Sequence, residues 1–176
     1  MANNTLIPEK INAYNVYYKG SNRLVGLSDE VKLPDLEALS EEMSGPGILG
    51  NIDMPTIGHF GSMEVEIPFR SINQDMFALI EQESAVDFTL RGSEQYTDAN
   101  SGITSFKGVR IIFRGKTKKI TSGSFKQAAG TASSVTFEVQ YMMVEVDGVQ
   151  QLELDKLNFV YKVQGKDLLK EVRNQV

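Results

Sequence analysis

The sequence predicts a mainly β domain, an antiparallel β-sandwich or barrel with one packed α-helix. Three observations predict it. Runs such as Met63-Glu64-Val65-Glu66-Ile67 and Val86-Asp87-Phe88-Thr89-Leu90 alternate apolar with polar residues, the period of a half-buried strand. Glycines, prolines and short polar clusters punctuate those runs as turns. Asp147-Gly148 stands between two long apolar-rich segments, and that dipeptide is a strong signal for a two-residue type I′ hairpin. With 176 residues, 41% of them hydrophobic, the chain suffices for one domain over 1–176 with a sizeable core.

In chain order, the polar opening with Pro8 suggests an N-terminal arm over residues 1–11. Ala13 to Tyr18 reads as a first strand closed by Gly20, and Leu24 to Leu27 as a short second one. Glu30 to Ser44 is ambiguous. Apolar residues at 36, 39 and 43 suit a helix, whereas Pro34 and the alternation of Val31 with Leu33 suit an extended hairpin. From Gly45 to Gly61, five glycines with Pro46 and Pro55 predict a long loop without regular structure. Such loops carry function or sit at interfaces, because their backbone polar groups need partners.

A strand over Met63 to Ile67, ended by Pro68, leads to a helix over about 73–82. Ser71-Ile72-Asn73-Gln74 offers a capping-box start, and Met76, Phe77, Leu79 and Ile80 supply its apolar face. The strand at Val86 to Leu90 runs to a polar turn at Asp98 to Gly102 and pairs with Thr104 to Phe113. Lys116-Thr117-Lys118-Lys119 then opens a Gly/Ser/Ala-rich loop to Ser134. About Asp147-Gly148 the expected register sets Val146 against Val149, Met143 against Leu152 and Tyr141 against Leu154. A β-bulge near Asp155-Lys156 would bring Val139 to Leu157, Phe137 to Phe159 and Val135 to Tyr161, and would help the sheet to curl. Lys166 to Arg173 closes the chain as a short helix.

Composition excludes more chemistry than it suggests. Eighteen Lys and Arg against 23 Asp and Glu, a net charge of -5, provide no surplus to attract a phosphate backbone. Without cysteine there is no disulfide, thiol nucleophile or thiolate metal site. The opening lacks the basic and apolar regions of a signal peptide, and no apolar run approaches the roughly 20 residues of a membrane span. The expectation is a subunit made soluble in the cytoplasm. His59, the only histidine, lies in the Gly-rich segment and reads as a loop or interface residue, not a ligand. Glu64 with Glu66, or Glu41 with Glu42, has the composition of a general acid and base pair, but alternating Glu on a strand is ordinarily its wet face. Gly45, Gly47 and Gly50 imitate a phosphate loop without the flanking strand and helix. No cofactor, metal or catalytic residue is expected.

The particular residues say more. Asn15-Val16-Tyr17-Tyr18-Lys19-Gly20, Val31-Lys32-Leu33-Pro34 and Gly45 to Gly50 come first. Arg91-Gly92-Ser93 with Gln95-Tyr96, Arg114-Gly115-Lys116 with Lys118-Lys119-Ile120, and Gly123-Ser124-Phe125-Lys126-Gln127 follow. Tyr141, Asp147-Gly148, Leu154-Asp155, Asn158 and Lys162 to Leu168 complete the series. In this order, over nearly the whole chain, they resemble the major tail-tube proteins of contractile (P2-like) phages and phage-tail-like bacteriocins. Phe125 and Ala128 depart from that pattern, which expects glycines there.

The resemblance implies a hexameric ring whose subunits pool strands around a lumen, with rings stacked into a tube inside a contractile sheath. Unpaired strand edges then become the means of assembly. It resolves residues 30–45 as a protruding hairpin, with Val31, Leu33, Leu36, Leu39 and Met43 as ring contacts. Asp35, Glu37 and Glu41 become candidate lumen acids that repel passing DNA. Ile48, Leu49, Ile52, Met54, His59, Phe125 and Lys126 become candidate inter-ring contacts. Implied partners are further copies of the chain, sheath, tape-measure, baseplate and terminator proteins, and DNA in transit without tight binding. The implied location is the bacterial cytoplasm during assembly, then a virion tail or a released particle. A type VI secretion tube and a monomeric β-sandwich binding module are the alternative readings, with a hydrolase behind them.

Overall fold

The computed structural model describes residues 5–28, 30–80 and 82–176. Its strands are β1 (Leu6–Tyr18), β2 (Asn22–Arg23), β3 (Ala38–Met43), β4 (Ile52–Phe60), β5 (Glu64–Phe69) and β6 (Val86–Asp98). They continue with β7 (Thr104–Thr121), β8 (Ser133–Val146), β9 (Val149–Asp155), β10 (Val160–Val163) and β11 (Lys166–Asp167). The helices are α1 (Gln74–Ala78) and α2 (Lys170–Arg173). All strand pairs are antiparallel, in the order β11-β10-β9-β8-β7-β6-β1-β2, with β5 also on β8 and a separate β3–β4 pair.

The sheet closes on itself because β8 is shared. Its first half pairs with β5 from Phe69↔Ser133 to Glu64↔Glu138, and its second half pairs with β9, while β7 runs along its other edge. Beyond β5 the circuit returns to β2 through bridges at Leu27↔Phe69 and Lys32↔Glu66. Ser28 N donates to Pro68 O at 3.0 Å and Arg70 N to Gly26 O at 2.8 Å along that seam. Two register shifts in the β7–β8 pair, at Arg114/Gly115 and Thr117/Lys119, supply the bend. At Gly115 a Cβ would overlap the Glu138 carbonyl oxygen, so only glycine lets the two backbones approach there.

The core lies inside this closed sheet. Val65, Ile67, Phe69, Val86, Phe88, Phe113, Val135 and Phe137 are buried there, and each comes from the apolar register of its strand. Phe88 lies between Phe113 and Phe137, with ring centroids 5.2 and 5.1 Å away. The helix caps one end and is shorter than the predicted 73–82. Asn73, not Ser71, caps it, its Oδ1 accepting from Met76 N at 3.0 Å. Met76 and Leu79 face the core, whereas Phe77, 62% exposed, does not belong to that face. A helix of five residues presents only an i, i+3 pair inward, and Phe77 points about 100° away.

Four further expectations are corrected. The arm over 1–11 is strand from Leu6 onward: Leu6 pairs with Asp98 and Ile11 with Glu94, while residues 1–4 lie outside the described residues. Its outer edge pairs with β2 at Tyr17 and Tyr18, Val16 O accepts from Leu24 N at 2.8 Å, and the register shifts flanking Glu9 and Asn12 absorb the irregularity around Pro8. The second strand falls at Asn22–Arg23, ahead of Leu24, which is buried instead. The bulge in the last hairpin sits between Val144 and Glu145, with Gln151 as the extra residue, so Met142 pairs with Leu154 and Tyr141 with Asp155. Val146↔Val149 stands, with Asp147 and Gly148 at φ 52 and 77, but Leu157 and Phe159 turn outward because β5 takes the first half of β8. Finally, α2 keeps only Lys170–Arg173 of the predicted 166–173, since Lys166 and Asp167 pair with Val163 and Lys162.

Candidate assembly surface

The segment predicted as loop, 45–61, contains a nine-residue strand. β4 returns along β3 with Met43↔Ile52, Glu41↔Met54, Glu42↔Asp53 and Ser40↔Pro55, so the projecting hairpin spans residues 38–60 and not 30–45. The glycines fall where the chain must turn. Gly45, Gly47 and Gly50 form the tip, Gly58 (φ 78) lies within the irregular pairing between Ala38 and Ser40, and Gly61 follows the strand. Pro55 is compatible with β4 because this is a two-stranded sheet, in which every strand is an edge. Glu30 to Ser44 holds no helix among the described residues. Lys32 bridges to Glu66 and the chain runs extended into β3.

Cross-strand partners share a face, so the register sorts the side chains. Leu39, Glu41, Met43, Ile52 and Met54 lie on one face, and Ser40, Glu42, Asp53 and Pro55 on the other. The four apolar residues of the first face are each between 44% and 54% exposed. A two-stranded sheet whose edges pair with no other strand among the described residues is at best marginal in water, and the apolar strip on it is a candidate binding surface.

The predicted residues separate into distinct places. Leu39, Met43, Ile52 and Met54 share the apolar strip, with Glu41 among them. Val31 and Leu33 precede the hairpin and line an apolar groove, while Leu36 is exposed on the way to β3. Asp35 lines a polar cleft with Lys32, Glu64, Glu66 and Lys119, and Glu37 serves the hairpin base through its carbonyl, which accepts from Gly61 N at 3.0 Å. Ile48 and Leu49 are at the tip, whereas Ile52, Met54 and His59 are strand residues, not loop residues. Phe125 and Lys126 lie on the loop over 122–132, tied at its neck by Ser124 N to Thr131 O at 2.8 Å. Ala128 there has φ 59, a conformation that favours glycine. Sequence reasoning missed Glu42 and Asp53 as a facing acidic pair. Only the register of a strand taken for a loop would have shown them.

The hairpin root is clamped. Phe60 meets Tyr161 edge-on at 5.2 Å, and the Leu169 side chain lies where a Gly58 Cβ would come within 2.6 Å of it. Lys156 Nζ donates to Gly61 O at 2.8 Å, and Glu138 accepts from Ser62 Oγ at 2.6 Å and Met63 N at 3.1 Å. Lys118 adds a 2.6 Å bridge to Glu64. Partial burial opposes ionisation of Glu138, but the Ser62 and Met63 hydrogen bonds with the Lys156 and Lys118 charges outweigh it and hold its carboxyl below the ordinary carboxylate range.

That depression has a pH consequence. A carboxyl depressed on folding adds stability that is complete above its unfolded value and is lost as the pH falls through the folded one. The wild-type melting temperature should therefore fall in acid, and Glu138→Gln should be less stable at neutral pH with a flatter fall. Thermal melts between about pH 3 and 7 compare the two, and parallel curves would remove Glu138 from the account.

Among the described residues no group of three or more His, Cys, Asp or Glu is placed to hold a metal, and no helix is long and apolar enough to cross a membrane. Residues 8–176 match the family described as phage tail tube protein FII. The tail tube protein of Escherichia phage P2 is 28% identical over 174 residues, covering 97% of this chain and 98% of that one. The major tail tube protein of Serratia phage KSP20 is 26% identical over 162 residues, covering 92% and 91%. Among solved structures, the sheath/tube terminator of the extracellular contractile injection system PVC in its extended state shares the fold. Its TM-score is 0.52 at 15% identity, over 79% of this chain and 97% of that one.

Proposed function

The chain belongs to the phage tail tube protein FII family, and we propose that copies of it close into hexameric rings that stack as the inner tube of a contractile tail. It is a structural tail tube protein. The observation that carries the assembly is the β3–β4 hairpin, with its unpaired edges and half-exposed apolar strip of Leu39, Met43, Ile52 and Met54. Hairpins from successive subunits pair edge to edge around the axis, so each supplies the hydrogen bonds the next lacks. A closed ring leaves no lateral edge open.

The two faces of the hairpin then divide the work. The apolar strip is covered by protein, and the opposite face presents Glu42 and Asp53 to the lumen, with Asp35 and Glu37 nearer the root. Glu41 lies within the strip, opposite Met54, and so apart from the acidic face. An acidic lining repels DNA phosphates, and screening over about 8 Å confines the subunits' mutual repulsion to near neighbours. Ile48 and Leu49 at the tip, with Phe125 and Lys126 on the 122–132 loop, contact the adjoining ring. Sheath surrounds the tube, and tape-measure, baseplate and terminator proteins meet its lumen and ends. Subunits are made in the bacterial cytoplasm before entering the tail.

Negative-stain microscopy of concentrated wild-type protein tests this reading. Rings of six or tubes are expected. Monomers at every salt and at millimolar concentration would end it.

A further inference from the structure

The hairpin is jointed to the body, and one lysine lies at the joint. Between the pairs Ala38↔Phe60 and Ser40↔Pro55 a single residue of β3, Leu39, stands opposite Thr56, Ile57, Gly58 and His59 of β4. So large an insertion interrupts the ladder, and Gly58 at φ 78 lets the backbone turn there. Among the described residues no hydrogen bond or ion pair ties 40–55 to the rest of the chain, so polar contacts fix the direction of the outer hairpin only at its root. Gly61 is the node there. Its N–H donates to Glu37 O at 3.0 Å, joining the two strands, and its carbonyl accepts from Lys156 Nζ at 2.8 Å.

Lys156 is itself held fast. Its backbone N–H donates to Gln140 O at 2.9 Å, and Asp155 Oδ1 accepts from Leu157 N and Asn158 N, both at 3.0 Å, which forms the turn after β9. Its ammonium lies 3.6 Å from Glu138, whose carboxylate accepts from Ser62 Oγ and Met63 N, and its side chain is only 23% exposed. We infer that Lys156 is a positioning residue for assembly, locking the hairpin root to the body so that the apolar strip meets the next copy at a fixed angle. The inference rests on the tail-tube reading and adds to it the residue that sets the hairpin's direction. Packing of Phe60 on Tyr161 and of Leu169 at Gly58 is non-directional and admits sliding, whereas a hydrogen bond weakens steeply off its axis. A strand edge held at one angle loses less freedom on docking than one that swings, and that difference enters every contact of a ring.

The absence of cysteine allows the angle to be read directly. Spin labels on Glu42→Cys and Val149→Cys, both exposed positions, report the distance between the outer hairpin and the body in dilute, monomeric protein. Pulsed electron resonance should give one narrow distance with Lys156 and lose it with Lys156→Met, which keeps the stem and removes the charge. In unlabelled protein the same substitution should raise the concentration needed for assembly about tenfold or more, while urea unfolding of dilute protein finds it folded. Lys156→Arg, which retains a charged donor, should restore both. An unchanged narrow distance in Lys156→Met overturns the inference, and so does a broadened one with wild-type assembly or an arginine variant as defective as methionine. A lower unfolding midpoint with the distance unchanged assigns Lys156 to stability alone and overturns it too. Should Lys156→Met not fold, Lys156→Gln takes its place under the same criteria. Wild-type protein that never assembles ends the tail-tube reading, and the distance measured on the monomer still decides whether Lys156 locks the root.

Discussion

Met54→Asp should abolish tube formation and leave a folded, soluble protomer. Met54 lies at the middle of the hairpin's apolar strip, opposite Glu41, and is 47% exposed in the isolated chain. Within the protomer the aspartate therefore meets water and costs little. Between protomers it removes burial worth about 1.5–3 kcal/mol and places a carboxylate in a desolvated contact, a further several kcal/mol. Each 1.4 kcal/mol is tenfold in an equilibrium constant, so the loss at every subunit contact is about a thousandfold or more. Size-exclusion chromatography and negative-stain images check it, with circular dichroism to establish the fold. Glu42→Gln, on the opposite face, is the matched control and should still polymerise. Normal tubes from Met54→Asp would show that this strip is not where copies meet.

The second large effect belongs to the core. Phe137→Ala should cost about 3–5 kcal/mol, a substantial part of the roughly 5–15 kcal/mol that holds a domain folded. Phe137 is fully buried, packs against Phe88 with the rings tilted by 44° and pairs with Val65. It stands on the half of β8 held between β5 and β7, so the cavity opens where three strands depend on one side chain. Urea unfolding in the Met54→Asp background reads the effect without interference from assembly, as a lower midpoint at unchanged slope. Phe77→Ala, at the 62% exposed helix position, should move the midpoint little. Equal midpoints for wild type and Phe137→Ala would contradict the closed-sheet core.

Where alternation and turn chemistry act locally, residues and structure agree closely. Val86, Phe88 and Leu90 are buried as their period requires, and Asp147-Gly148 makes the positive-φ turn that pairs Val146 with Val149. The misses occur where a distant strand chose between local options. The glycines and prolines of 45–61 read as a loop, yet a strand forms at Ile52–Phe60 because β3 offers it a partner. The bulge lies at Gln151 of β9, about four residues before the expected Asp155, and β5, not the chain beyond Asp155, claimed the first half of β8. Of the proposed assembly residues, the apolar character was legible as composition. Which face each occupies was not.

By itself, then, the sequence determined the β class, most strand positions and the last turn, because side-chain period and turn residues act over a few positions and survive any arrangement of neighbours; the family was legible in the resemblance of its ordered motifs. Tertiary structure alone decided the closure through β8, the extent of the hairpin and the division of its faces. Those depend on register between segments far apart in the chain, and a shift of one residue turns every side chain of a strand to the opposite side.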